Sequence, residues 1–321
     1  MELTTYLEQT AEEVDLSLHR FFGMAGGELN KASNHLLMAG GKRLRPAVTL
    51  LGAEAVKKGS SQDILAAALA LEVTHTFTLV HDDIMDADST RRGVPTVHVV
   101  WDEPTAILAG DVLFAEAFEL VCNSIADDKA KVRAVTMLAR TCAEICQGQY
   151  LDMAFEGRSD VDPGEYIEMV SKKTGVLYAA AAAIGGTLAG GNVQQVQALY
   201  DWGIHSGIAF QIQDDLIDIM ALTEKTGKDR ASDLREGKQT LIAILAQEKG
   251  LDLTPYRKEN LTEAEIDEAI ALLEQEDVIA AVQAVAADRV ERAKKVLTIL
   301  PDCEERRLLG EITDFFVTRG Y

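Results

Sequence analysis

The chain has 321 residues, 47% of them apolar, and sets 31 basic against 52 acidic side chains for a formal charge of −21. Such an excess of negative charge argues against nucleic acid and anionic membrane surfaces as partners. The length would allow two average domains, but no linker rich in Pro, Ser or Gly interrupts it, so a single domain over 1–321 is expected. The N-terminus is acidic from Glu2 and lacks the basic and apolar regions of a signal peptide. Cys122, Cys142, Cys146 and Cys303 have no metal-ligand spacing, and Cys142 with Cys146, one helical turn apart, read as core thiols of a reducing, cytoplasmic compartment.

Helical periodicity dominates. It predicts helices over 3–22, 43–58, 61–86 (capped by Ser60 or Ser61), 104–126, 129–156, 163–190, 193–221, 238–249, 262–274, 276–299 and 303–318. The best strand candidate, Val94 to Val100, contains Pro95 and is expected to be a loop. An all-α protein follows. The stretch from Gly175 to Gly191 is uncharged for nearly the length of a membrane span. Ala and Gly supply little hydrophobic drive but allow close helix approach, so a buried packing helix is expected and no membrane span. Asp127-Asp128 and Asp160 with Asp162 fall between helices and read as caps.

The long apolar run from Asp63 to Val80 ends in His81-Asp82-Asp83-Ile84-Met85-Asp86. Carboxylates at a helix C-terminus oppose the helix dipole by about 0.3–1 kcal/mol each. Asp82 and Asp86, four apart, share a face, where two like charges repel by roughly 4 kcal/mol at an effective dielectric near 20. A cation between them relieves this, and oxygen-only donors favour hard Mg²⁺ or Mn²⁺. Asp214-Asp215-Leu216-Ile217-Asp218 repeats the device at the end of another predicted helix. Two such clusters facing each other across a cavity would hold several ions. Around them lie cations in Gly-flanked turns: Gly41-Lys42-Arg43-Leu44-Arg45-Pro46, Arg91-Arg92-Gly93, Lys172-Lys173-Thr174-Gly175, Gly227-Lys228 and Gly237-Lys238-Gln239-Thr240. Lys42 and Arg45 are expected in the first turn of a helix, where Pro46 is tolerated and backbone N–H groups attract anions. The combination describes a site for phosphorylated substrates.

With Gly148-Gln149-Tyr150-Leu151-Asp152, these motifs in this order resemble the trans-type isoprenyl diphosphate synthases, and among them the archaeal-type geranylgeranyl synthases. The resemblance runs from about Gly40 to Thr240. It implies a single helical bundle around a deep central cavity and a homodimer. It implies head-to-tail condensation of isopentenyl diphosphate with dimethylallyl, geranyl or farnesyl diphosphate. By this similarity Asp82, Asp83, Asp86, Asp214, Asp215 and Asp218 are metal ligands for about three Mg²⁺, with Mn²⁺ as the substitute. Lys42, Arg45, His75 and Arg92 match positions that hold the diphosphate of isopentenyl diphosphate. Arg91, Lys173 and Lys228 match those that hold the allylic diphosphate, with Lys238 near its rim. Thr174 and Gln211 match polar groups beside the reacting carbon, and with Lys173 form the catalytic set. The one local departure is Ala231-Ser232-Asp233, where the family often has a glycine.

The charges balance. The six aspartates and an allylic diphosphate carry roughly nine negative charges, and about three divalent ions with Arg91, Lys173 and Lys228 carry roughly nine positive ones, as a partly dehydrated site requires. The allylic C–O bond ionises, Thr174, Gln211 and carbonyl dipoles face the cation, and the double bond of isopentenyl diphosphate attacks. No motif side chain is an obvious general base, and the family's departing diphosphate accepts the proton.

Product length is read from the helix carrying Asp82. Thr78 lies about 6 Å and Phe77 about 7.5 Å below that residue along the axis. A small residue above an aromatic one resembles the geranylgeranyl synthases, so Phe77 is expected to floor a C20 product, with farnesyl or longer chains as alternatives. A class I terpene cyclase would lack the cations for a second diphosphate. A non-catalytic partner subunit tends to lose one Asp cluster, and both are intact. A di-iron bundle would need two Glu-x-x-His pairs on facing helices, and of the six histidines only His75 follows a Glu, Glu72, by three.

Overall fold

The computed structural model describes residues 1–23, 26–220 and 230–318, and helices account for nearly all of its ordered backbone. In chain order these are α1 (Leu3–Phe22), α2 (Glu28–Met38), α3 (Leu44–Val56), α4 (Leu65–Met85), α5 (Val97–Val100), α6 (Glu103–Cys122), α7 (Asp128–Phe155) and α8 (Pro163–Val170). There follow a π turn (Ser171–Gly175), α9 (Val176–Leu188), α10 (Val193–Met220), α11 (Ser232–Glu236), α12 (Leu241–Glu248), α13 (Glu263–Gln275), α14 (Val278–Leu297) and α15 (Glu304–Thr318). The protein is all-α. The backbone groups into two compact units, the first made of Met1–Cys142, Ala180–Tyr200 and Ile299–Leu309, the second of Ala143–Ala179, Asp201–Thr298 and Gly310–Tyr321.

In the first unit α4 is the most enclosed element. Residues 67–74 are buried all round, as expected of a helix with no polar face. The stretch Gln62–Met85 passes for a membrane span by length and composition, yet 72% of its most apolar window is buried inside the protein. The predicted serine cap is not used: α4 is entered through a 3₁₀ turn, and the Glu54 carboxylate instead accepts the Gly59 and Ser61 amides, both at 2.7 Å. The Ala/Gly run of α9 does pack closely. A Cβ on Gly185 would lie 2.0 Å from the Thr49 carbonyl oxygen, and one on Gly52 2.4 Å from that of Ala182, so α3 and α9 touch backbone to backbone.

Two short elements escape the periodic pattern. The α2 helix buries only Ala32, Ser33, Leu36 and Leu37, too weak an apolar stripe to register. Around Pro95 the chain makes a minimal hairpin, Thr90 opposite Pro95 and Arg91 opposite Val94, before α5. Its turn residues Arg92 and Gly93 both have positive φ, 53° and 77°, the twist that suits a two-residue hairpin loop. A third correction concerns α3. Arg43, with φ 46°, precedes the first helical residue, so Lys42 lies outside the helix and only Arg45 is in its first turn.

The second unit has its own core, in which Ile208, Ile212 and Leu216 of α10 pack with Tyr166 and Val170 of α8 and with residues of α12 to α14. Tyr178, Phe210 and Phe316 form an aromatic triad with centroids 5.0–5.7 Å apart. Asp162 and Glu165 make a reciprocal capping box that starts α8, and Asp127 accepts the amides of Lys129 and Ala130, so these two are caps as expected, while Asp160 pairs with Arg158 at 2.8 Å and Asp128 opens α7. The predicted helix over 163–190 is broken in register by the π turn that carries Lys172, Lys173 and Thr174. π turns inside α-helices concentrate at functional sites. Cys142 is buried, but Cys146 is exposed rather than a core thiol.

Candidate active site

In the first unit the acidic cluster ends α4. Asp86 is the C-cap, its amide bonded to the Asp82 carbonyl at 2.8 Å. Asp82 is half-buried and Asp86 exposed, whereas Asp83 is fully enclosed. Arg91 donates to Asp83 from Nε at 2.7 Å and to Asp88 at 2.6 Å. Burial raises the Asp83 pKa and Arg91 opposes it. Arg91, expected at a diphosphate, is therefore already committed to two carboxylates and ties the hairpin to the end of α4.

A second network lies deeper. Glu72, buried in α4, accepts from Arg43 at 2.6 Å and from Arg92 at 3.0 Å, both on the same oxygen. Arg43 also reaches Asp15 and the Leu37 carbonyl, both at 2.7 Å. Both arginines sit in left-handed backbone, a strain that persists only where surroundings over-determine it. Burial lowers the Arg92 pKa, with Glu72 opposing. A Cβ on Gly41 would lie 3.4 Å from the Arg92 guanidinium carbon, so the segment with Lys42 meets the hairpin turn there. Burial first, then Arg45, Arg92, Arg91 and Arg43, drives the His75 pKa well down, so the imidazole is neutral at physiological pH. The structure thus brings His75, Arg45 and Arg92 together. Below Asp82, Phe77 packs edge-to-face on Phe114 at 5.4 Å, and Phe114 on Phe118 at 5.0 Å, while the Thr78 hydroxyl bonds back to the His75 carbonyl.

In the second unit Lys173, Thr174, Gln211, Asp215 and Lys238 line one cavity of about 110 Å³, together with Asp152, Tyr166 and Asp233. The π turn supplies the first two. It can lie against α7 because residue 148 is Gly: a Cβ there would stand 2.3 Å from the Lys173 amide nitrogen. Lys173 is paired with Asp152 of the same motif. Thr174 donates to Gln211 Oε1 at 3.1 Å, and Gln211 Nε2 donates to Asp215 Oδ1 at 3.0 Å. Tyr166 donates to Asp215 Oδ2 at 2.6 Å. Asp218 accepts the Ser232 hydroxyl at 2.5 Å and the amides of Ser232 and Asp233 at 3.2 and 3.1 Å, which anchors the start of α11. Burial and Asp233 drive the Asp215 pKa well up. Burial and then Asp218 push Asp233 up to about 7. Burial opposes charge on Lys238, but Asp233 and Glu236 prevail and raise its pKa. Asp214 is half-buried, and Lys228 lies outside the described residues.

Of the six aspartates, Asp83, Asp215 and Asp218 accept from protein donors, and Asp82, Asp86, Asp214 and Asp218 keep accessible surface. Among the described residues no three His, Cys, Asp or Glu side chains form a ready-made metal cage. Hard oxygen donors in ones and twos at helix ends suit Mg²⁺, which keeps its waters and is held by one or two carboxylates plus substrate phosphate. The donor set therefore fits a divalent ion brought with a phosphorylated substrate.

Sequence reasoning missed Glu72, Arg43 and Tyr166. A lone carboxylate inside an otherwise apolar helix marks Glu72, and Arg43 stands within a motif already singled out; Tyr166 carries no local signal.

Comparison with known proteins identifies the family. Residues 27–274 match the family model described as polyprenyl synthetase. The chain is 45% identical over 323 residues to the geranylgeranyl diphosphate synthase of Methanosarcina mazei, covering 100% of this chain and 99% of that protein. It is 46% identical to the geranylfarnesyl diphosphate synthase of Natronomonas pharaonis, with 91% and 90% covered. The solved geranylgeranyl pyrophosphate synthetase from Geoglobus acetivorans superposes with a TM-score of 0.91 at 44% identity, over 98% of this chain and 99% of that one. An all-α chain, with acidic clusters ending two helices and cations gathered beside each, belongs to the polyprenyl synthetase family of prenyltransferases.

Proposed function

We propose that the protein condenses isopentenyl diphosphate head to tail with dimethylallyl, geranyl and farnesyl diphosphates and releases geranylgeranyl diphosphate as its main product. The observation that carries this reading is the gathering of Lys173, Thr174, Gln211 and Lys238 with Asp215 around one cavity, in a chain of this family. Lys42, Arg45, His75 and Arg92 receive the diphosphate of isopentenyl diphosphate. Neutral His75 serves there as a hydrogen-bonding group that adds no charge. Arg91, Lys173 and Lys228 serve the allylic diphosphate, with Lys238 near its rim.

The family uses divalent ions for diphosphate ionisation. Here Asp82, Asp83 and Asp86 of one cluster and Asp214, Asp215 and Asp218 of the other would hold them, Mg²⁺ by preference and about three in all. When bound, such ions neutralise the leaving diphosphate. Thr174 and Gln211 present dipoles to the allylic carbon, and exclusion of water protects a cation from quenching. Phe77 floors the product channel and Thr78 leaves room above it; the Phe114 and Phe118 rings behind Phe77 keep it from swinging away.

A homodimer is part of the reading. Ile107, Leu108 and Phe114 are exposed on α6, large apolar side chains within two turns of one helix, and a second copy of the chain would cover them. Ile107→Glu with Leu108→Glu should halve the mass seen by sedimentation; an unchanged mass would place the contact elsewhere. The free thiols suit a reducing cytoplasm.

The test of function is product analysis after incubation with isopentenyl diphosphate, Mg²⁺ and each allylic diphosphate in turn. Isopentenyl-dependent formation of a C20 diphosphate is expected. Consumption of the allylic substrate without isopentenyl diphosphate would mean a cyclase, and no consumption would mean a partner subunit. Thr78→Phe should shorten the product toward C15 and Phe77→Ser should lengthen it beyond C20; an unchanged distribution in both would move the floor to another helix.

A further inference from the structure

Arg43, just before α3, and Arg92, in the hairpin turn, share a partner but differ in what they have left to offer. Each nitrogen of Arg43 is engaged. Nε donates to Asp15 of α1 at 2.7 Å, Nη1 to Glu72 of α4 at 2.6 Å and Nη2 to the Leu37 carbonyl at 2.7 Å, and the side chain is 1% exposed. Arg92 donates to the same Glu72 oxygen and to the Leu36 carbonyl, both at 3.0 Å, but its side chain stays 16% exposed. A guanidinium carries donors beyond those two bonds, and the open edge can present them to a ligand.

Leu36 and Leu37 lie in the last turn of α2, where carbonyls have no partner within the helix and cations suit the dipole. Glu72 thus draws two like charges together against the end of α2. One carboxylate oxygen takes both, so that oxygen sets how the two guanidiniums stand. The backbone leading to Lys42 rests on the pair: a Cβ on Gly41 would lie 3.4 Å from the Arg92 guanidinium carbon and 3.7 Å from Arg43 Nη1. His75 follows Glu72 by three on α4 and shares its face.

On charge alone the carboxylate is out of place. A diphosphate site gains from each nearby cation and loses from each nearby anion. Yet Glu72, 2% exposed, bonds directly to a cation of the proposed isopentenyl diphosphate site. We infer that Glu72 and Arg43 are positioning residues: the carboxylate, held from behind by Arg43, fixes the Arg92 guanidinium and the Gly41–Lys42 backbone where the diphosphate of isopentenyl diphosphate is received. Both act through these neighbours and not by touching the substrate. The inference deepens the prenyl-transfer reading and rests on it.

The test is steady-state condensation with Mg²⁺, varying isopentenyl diphosphate at saturating allylic diphosphate and then the reverse. Charge and position predict opposite signs for Glu72→Gln. Loss of a negative charge alone would lower KM for isopentenyl diphosphate. Loss of the anchor should raise it roughly tenfold, the worth of one hydrogen bond to a charged group. Glu72→Asp keeps the charge but draws the oxygen back by one methylene. Arg43→Lys keeps the charge but loses the fork that reaches three partners. Both should raise the same KM several-fold. In each variant the allylic KM and kcat at saturation should stay within about twofold of wild type. A lower KM in Glu72→Gln, wild-type values in Glu72→Asp and Arg43→Lys, or equal defects for both substrates would overturn the inference, because Glu72 would then act by charge or only on the fold. Melting curves identify any variant that fails to fold, and Arg43→Lys, which leaves every charge in place, decides the case if the Glu72 variants do. Condensation by wild type separates the two levels. If wild type does not condense, the prenyl-transfer reading fails; if it does and the KM for isopentenyl diphosphate is unmoved in these variants, only this inference fails.

Discussion

The ends of α4 and α10 carry the same pattern, Asp-Asp-x-x-Asp, yet they enclose the middle aspartate in different ways. Asp83 is paired with a guanidinium, Arg91, eight residues further along. Asp215 is held by a phenol and an amide, neutral donors, one of them 49 residues away in sequence. The consequence is visible in proton affinity. Burial raises both pKa values, but Arg91 restrains the rise at Asp83, while at Asp215 a further carboxylate, Asp233, adds to it. A full opposite charge offsets the loss of hydration far better than neutral dipoles do. The first cluster thus sets its buried carboxylate against a full opposite charge, and the second against neutral dipoles. The same contrast extends outward: the first unit pairs its buried cations on Glu72, and the second spreads its carboxylates over hydroxyls, amides and Lys238.

The largest effects should come from the accessible aspartates on which the two regions are alike. Asp82→Ala and Asp214→Ala each remove a carboxylate placed to hold a divalent ion. Loss of several kcal/mol of transition-state stabilisation, roughly a thousandfold in kcat, is expected with melting temperature nearly unchanged. Near-wild-type turnover by either variant with Mg²⁺ present would refute the role of its cluster.

Next come the buried partners on which the regions differ. Glu72→Gln removes the buried negative charge that Arg43 and Arg92 share and should cost about 3–5 kcal/mol of stability. Asp215→Asn in chelator-treated protein replaces a buried carboxyl whose hydrogen-bond partners are neutral by a neutral isostere, and should change stability by no more than about 1 kcal/mol. Denaturant unfolding measures both. Equal destabilisation by the two substitutions would erase the distinction between charge-paired and dipole-held clusters.

The smallest effect concerns pH. His75 is held neutral, its folded pKa well below the ordinary value of 6.5. Below that value the unfolded chain takes up a proton that the folded one refuses, so acid favours unfolding. Stability falls as pH drops from 6.5, by at most about 1.4 kcal/mol per pH unit from this residue. His75→Gln should flatten that limb in unfolding curves taken between pH 6.5 and 5; an identical slope would mean that the imidazole is solvated.

What was legible in the sequence was what depends on spacing. Helix periodicity located α4, α7 and α10, and the i, i+4 rule identified Asp82 with Asp86 before any coordinates. The all-α class followed from that periodicity, and the buried role of the Ala/Gly run from its composition. What depends on long-range pairing was not legible. Tyr166 looks like any core aromatic until its hydroxyl is seen on Asp215. The commitment of Arg91 to Asp83 and Asp88 and the placement of Lys42 outside α3 both arise from left-handed turns next to the motifs, at Arg92 and Arg43. No periodic pattern encodes a positive φ at an arginine. The π turn under Lys173 is likewise invisible to a 3.6-residue period, which reads straight through it.

The division of labour between the two regions is measured most directly by a pair of Michaelis constants. Steady-state kinetics of Arg92→Ala and Lys173→Ala, each against both substrates, compare a cation of the first unit with one of the second; Lys42→Ala and Lys228→Ala extend the pair. Arg92→Ala should raise KM for isopentenyl diphosphate and leave that for the allylic diphosphate near wild type. Lys173→Ala should do the reverse, or lower kcat for ionisation of the allylic substrate. The same defect in both variants, for both substrates, would contradict the account.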